Sequence, residues 1–141
     1  MRLEEARRLA EKWVERLSKC CCLKVDIAGS TYRGEPNPRD VDLVCVPRDM
    51  EALREAGLVK EMDKTRITFK DGDQHIDVWL STPERYPLTL WFRRMGAKRF
   101  IELASKAKAK GLKLSWKDGL MRDGETITLN PEEIEKYLGE N

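Results

Sequence analysis

The chain has one histidine, His75, and no pair of cysteines with the CxxC spacing that a tetrahedral zinc site uses. Cys20, Cys21 and Cys22 are consecutive and Cys45 stands alone in an apolar stretch. The four therefore read as buried or free thiols in a reducing compartment, acting as small hydrophobes, and a structural zinc module is set aside. No apolar run approaches the roughly 20 residues of a membrane span. The Met1 end is charged, with no signal-peptide core. Together these absences lead us to expect a soluble, cytoplasmic protein with no membrane partner. Internal repeats and low-complexity tracts are lacking too.

What is present suits a folded domain. Forty per cent of the 141 residues are hydrophobic, four of them Trp. That is enough for one ordinary core, or for a compact domain with a small appendage. Net charge is only +2, but it is unevenly spread. Residues 1–92 hold 16 basic and 17 acidic side chains, residues 93–117 hold 9 and 1, and residues 118–141 hold 2 and 7. The middle block has the charge of a phosphate-backbone contact, or of a solvated lysine-rich helix. The shift near residue 90 marks the best subdomain boundary.

Apolar residues at Leu3, Ala6, Leu9, Ala10, Trp13, Val14 and Leu17 predict an amphipathic helix over 3–19, with Trp13 in the core. Residues 23–28 alternate as a strand ending at Gly29-Ser30, residues 31–39 read as a Gly/Pro/Asn loop, and 41–46 as a second, apolar strand. Asp49 caps a helix over 50–56. Residues 65–70 and 74–80 predict a hairpin around an Asp71-Gly72 turn. Helices follow over 83–94 and 97–110, then short strands at 112–116, 120–122 and 126–129. A last helix starts at Asn130-Pro131.

The chemistry concentrates in three carboxylates. Residues two apart in a strand share a face, so Asp40 and Asp42 point together while Val41 and Leu43 face the core. Asp77, between Ile76 and Val78, presents a third carboxylate from another strand. Clustered carboxylates are costly unless a cation neutralises them, and Mg²⁺ with oxygen ligands and substrate phosphates meets that need. Gly29 lets a phosphate approach the backbone, Ser30 offers a hydroxyl and an N–H, and Arg33 is spaced to reach the same triphosphate. His75 shares the face of Asp77, as a phosphate contact or an ordinary strand histidine. Trp79 shares it too, while Asp26 reads as a solvent-side residue.

GSTYRGEPNPRDVDLV resembles the GSxxRG…DxDLL signature of the nucleotidyltransferase superfamily, to which family X DNA polymerases belong. HIDVWL resembles the segment bearing their third catalytic aspartate, and residues 90–139 resemble the thumb of bacterial and archaeal family X enzymes. The resemblance implies an α+β fold: a nucleotidyltransferase palm of mixed sheet and helices over 1–90, and a small α/β thumb over 91–141. It implies two Mg²⁺ ions, replaceable by Mn²⁺, on Asp40, Asp42 and Asp77, which are also the catalytic residues. Nucleotide-binding positions would be Gly29, Ser30, Arg33, Trp91, Phe92 and Gly96, with Arg93-Arg94 inserted before Gly96 relative to the family. Nucleic-acid-binding positions would be His75, Lys98, Arg99, Lys106 and Lys110. The implied partners are a nucleoside triphosphate and a DNA primer/template or gapped DNA. The implied activity is repair or gap-filling synthesis by a monomer. Two rivals remain: a small nucleotidyltransferase that modifies a protein, an RNA end or a small molecule, and a non-catalytic nucleic-acid-binding module.

Overall fold

Ala6, Ala10, Trp13 and Leu17 form one buried stripe along helix α1 (Leu3–Cys20), the spacing that lays a helix across a sheet. That sheet has five strands, β1 (Cys22–Ala28), β2 (Val41–Pro47), β3 (Leu58–Met62), β4 (Arg66–Asp71) and β5 (Gln74–Leu80), in the order β1-β2-β5-β4-β3. The β2–β5 pair is parallel and the other pairs are antiparallel, so the sheet is mixed. Two short helices join the strands, α2 (Gly29–Arg33) and α3 (Met50–Glu55), the latter capped by Asp49 Oδ1 accepting from Ala52 N at 3.0 Å. Val41, Leu43, Cys45, Ile67, Phe69, Ile76 and Val78 cluster with the α1 stripe as one core, and Trp13 stacks on Phe69 at 4.9 Å. Each such fully buried aliphatic side chain contributes about 1.5–3 kcal/mol.

The computed structural model describes residues 1–140, and the chain divides into two compact units, Met1–Tyr86 and a second from Pro87 onward. The second contains helix α4 (Tyr86–Arg94) from Pro87 on, α5 (Ala97–Ala109) and α6 (Pro131–Tyr137), with an antiparallel sheet of β6 (Lys113–Ser115), β7 (Gly119–Arg122) and β8 (Glu125–Thr128). Leu88, Leu103, Ala107, Leu114, Leu120 and Ile134 form its own core. Asn130 Oδ1 caps α6 by accepting from Glu132 N and Glu133 N. Both units mix α and β structure. Among the described residues no helix is long and apolar enough to cross a membrane.

Four expectations need correction. Residues 31–33 belong to α2, not to a loop. The helix expected from residue 83 begins at Tyr86, which places Pro87 in its first turn, where a missing N–H costs nothing. Cys20 and Cys21 are joined by a disulfide where thiols were expected. Cys22 and Cys45 are buried thiols.

The fourth correction concerns the hairpin. Asp71 pairs with Gln74, so the two-residue loop is Gly72-Asp73 and Asp71 is the last residue of β4. Its Oδ2 accepts from Lys12 Nζ at 2.9 Å and from Trp13 Nε1 at 2.8 Å. These hydrogen bonds, Lys12's the larger, hold its carboxyl below the usual carboxylate range. Asp71→Ala leaves the indole N–H of a residue only 1% exposed without its acceptor, and is expected to cost about 2 kcal/mol. Because the folded-state pKa is depressed, this contribution is present above the unfolded value near 4 and disappears as pH falls through the folded value. Urea unfolding should show the gap between wild type and variant at about pH 7 and a narrower one at about pH 3. An equal gap at both would remove this account.

Candidate active site

Directly opposed residues in a sheet share a face, and the register writes out what one face carries. One row across four strands reads Ala28, Asp42, Asp77, Thr68. The next reads Asp26, Val44, Trp79, Arg66. On the other side of Asp77, His75 pairs with Lys70, and Asp40 immediately precedes β2. The residues between these rows, Ile27, Leu43, Val78 and Ile67, point the opposite way, and the last three are completely buried in the core under α1. Strand alternation sorts the side chains between the two faces, and the carboxylates fall on the side away from α1.

Asp42 and Asp77 are thus lateral neighbours on adjacent parallel strands, about 5 Å apart at the backbone. Each is held by a neutral donor. Trp79 Nε1 donates to Asp42 Oδ1 at 3.1 Å, and Thr68 Oγ1 donates to Asp77 Oδ1 at 2.6 Å. Asp40 Oδ1 lies 3.9 Å from His75 Nδ1, a contact that is an ion pair only when the imidazole is protonated. The Trp79 ring lies under the Arg66 guanidinium at 5.2 Å, and Arg66 pairs with Glu61 at 3.5 Å. Asp26, whose solvent-side place was expected, accepts a hydrogen bond from the Tyr86 hydroxyl.

Gly29 opens α2 with φ +65, and a Cβ built on it would lie 2.9 Å from Asp42 Cβ and Cγ and closer still to Oδ2. The Gly-Ser turn and the Asp42 carboxylate are therefore in direct apposition. Ser30 contributes its carbonyl, which accepts from Glu35 N at 3.0 Å. Thr31, only 2% exposed, has an Oγ1 with no hydrogen-bond partner among the described residues. Arg33 turns to Glu35, with Nε 2.8 Å from Oε2, so its nearest anion is one of the chain's own carboxylates.

The donor set of Asp40, Asp42 and Asp77, all hard oxygens, is of the kind a magnesium ion takes. As the side chains stand, no group of three His, Cys, Asp or Glu among the described residues is spaced to hold a metal ion. In this arrangement Asp42 Oδ1 accepts from Trp79 and Asp77 Oδ1 from Thr68.

The remaining candidates belong to the second unit. Trp91 Nε1 donates to Glu135 Oε1 at 3.1 Å, and Phe92 packs edge-on against Trp91 and Phe100. Gly96 precedes α5 as its N-cap residue, and Lys98 is exposed in that helix's first turn. Arg99 and Lys106 both bind Glu140, and Lys110 Nζ donates to the Tyr137 carbonyl at 2.6 Å. Hydrogen bonds from Lys106 and then Arg99 hold the Glu140 carboxyl below its ordinary range. Three of the five residues expected to bind nucleic acid are thus engaged by the acidic C-terminal segment of their own unit.

Sequence reasoning missed Thr68 as a partner of Asp77 and Trp79 as a donor to Asp42. The signal for Thr68 lay in the hairpin register, and that for Trp79 in its place two residues after Asp77. Compared with known proteins, the chain matches no family model and no curated sequence.

Proposed function

We propose that this chain is a magnesium-dependent nucleotidyltransferase acting on nucleic acid in the manner of family X DNA polymerases, with a palm over residues 1–90 and a thumb beyond. The observation that carries the reading is the Asp42–Asp77 pairing on the face of the sheet away from α1, with Gly29 pressed against Asp42. Asp40, Asp42 and Asp77 would hold Mg²⁺, which supplies charge neutralisation for the triphosphate and for an attacking hydroxyl. The chain's own part is positioning. Thr68 and Trp79 fix the carboxylates' orientation, and the Gly29-Ser30 turn brings backbone N–H groups near a phosphate without a side chain intervening. Arg33 would exchange Glu35 for the triphosphate, a more highly charged partner. The attacking group would be a nucleic-acid 3′-hydroxyl and the leaving group pyrophosphate.

A second reading has its own support: transfer to a protein, an RNA end or a small molecule. The contacts of Arg99 and Lys106 with Glu140 offset part of the positive charge available to a phosphate backbone. One experiment separates the two. Labelled single-stranded, recessed and gapped primers are incubated with each nucleotide and Mg²⁺ or Mn²⁺, and binding is measured across a salt series. The polymerase reading expects extension of recessed or gapped primers. It also expects a slope of about −3 in log K against log[salt], from roughly three phosphate contacts at about −0.9 each. No extension and a slope near zero would leave the second reading in its place.

A further inference from the structure

Trp13 is buried and Trp79 and Trp91 are half-buried, but Trp116 is 50% exposed, in the turn joining β6 to β7. Exposing so large an aromatic forfeits apolar burial, and among the described residues the Arg93 guanidinium lies over its face, 5.9 Å from the ring centroid. The turn itself is closed by Ser115 Oγ, which accepts from Lys117 N at 3.2 Å and from Asp118 N at 3.1 Å, so the indole is presented on an ordered hairpin. Trp116 also lies inside the stretch that holds nine basic side chains against one acid. Lys117 is its exposed neighbour, and the exposed Lys113 on β6 is in no ion pair among the described residues.

We propose that Trp116 is a stacking platform for an unpaired base of a nucleic-acid strand, with Lys113 and Lys117 beside its phosphates. A base has an apolar face that matches the indole, and its phosphates match the cationic hairpin, so one ligand accounts for both features. This places the nucleic-acid contact on the β6–β7 hairpin rather than on the face of α5 that engages Glu140. The inference rests on the proposed action on nucleic acid and specifies which surface touches the strand.

The test compares a dT oligomer with an abasic oligomer of equal length, using the full chain and its Trp116→Ala and Trp116→Phe variants, each checked for fold by circular dichroism. Wild type is expected to bind the base-bearing oligomer about tenfold more tightly than the abasic one. Trp116→Ala should lose that preference while binding the abasic oligomer as wild type does, and Trp116→Phe should retain most of it. If Trp116→Ala fails to fold, the Phe variant and quenching of tryptophan emission by dT in wild type decide. Undiminished preference in Trp116→Ala, or unquenched emission, overturns the proposal. So does a loss of self-association in Trp116→Ala by sedimentation, which would give the indole to a second copy of the chain. The two readings fail separately. A base preference without primer extension would sink only the transferase reading, and extension without a preference would sink only this one.

Discussion

Asp42→Ala and Asp77→Ala are each expected to lower nucleotidyl transfer by about a thousandfold, equivalent to roughly 4 kcal/mol of lost transition-state stabilisation. The two carboxylates sit side by side on β2 and β5, so in the proposed reading removing either takes away a ligand of the same metal site. Stability should change little, because two effects oppose. Losing one carboxylate relieves like-charge repulsion, while Asp42→Ala leaves Trp79 Nε1, and Asp77→Ala leaves Thr68 Oγ1, without its acceptor, at a cost of about 1 kcal/mol. The measurement is single-turnover transfer alongside a thermal melt. If both variants kept more than about a tenth of the wild-type rate with an unchanged melt, the carboxylates would not be the catalytic centre.

The second large effect is expected at Gly29. An alanine there must hold φ near +65 and place its Cβ against the Asp42 carboxylate. The left-handed conformation alone costs about 1–2 kcal/mol, and the collision must displace either α2 or Asp42. Gly34 supplies the control: its φ is +75, but a Cβ there meets only Arg7 Nη2 at 3.6 Å. Gly34→Ala should therefore destabilise by about 1 kcal/mol and keep most of its activity, whereas Gly29→Ala should lose about a hundredfold in transfer. Equal kinetic losses in the two variants would mean that backbone strain, and not the contact with Asp42, governs the site.

Much of the first unit could be read before any coordinates. The α1 stripe, the alternation in β1 and β5 and the apolar run of β2 are clear patterns, and the two-residue spacing of Asp40 and Asp42 placed them on one face. What escaped was short or depended on partners distant in sequence. Five residues of α2 are too few to show a helical period. β3 carries Lys60 and Glu61 at the sheet's edge, where neither face is deeply buried, so its pattern is mixed. The turn was misplaced by one residue, which matters more than its size suggests: a loop at Asp71-Gly72 would set Arg66 opposite Asp77, whereas the true register sets Thr68 there. The Arg99 and Lys106 contacts with Glu140 join residues of α5 to the acidic C-terminal segment, far apart in sequence, and composition carries no record of such pairings. A count of basic residues alone left out the one acid that two of them engage.

The order β1-β2-β5-β4-β3 has a consequence for how the site is kept. β2 and β5 are interior strands, each laced to a neighbour along both margins, so neither aspartate can drift without unzipping two ladders of backbone hydrogen bonds. Fraying begins where strands have a bare margin, at β1 and β3, which leaves the carboxylate pair in the most slowly opening part of the sheet. Their spacing is therefore set by the main chain, and in the proposed reading adaptation to a bound substrate would fall to the side-chain torsions of Asp42 and Asp77 and to their tethers, Trp79 and Thr68.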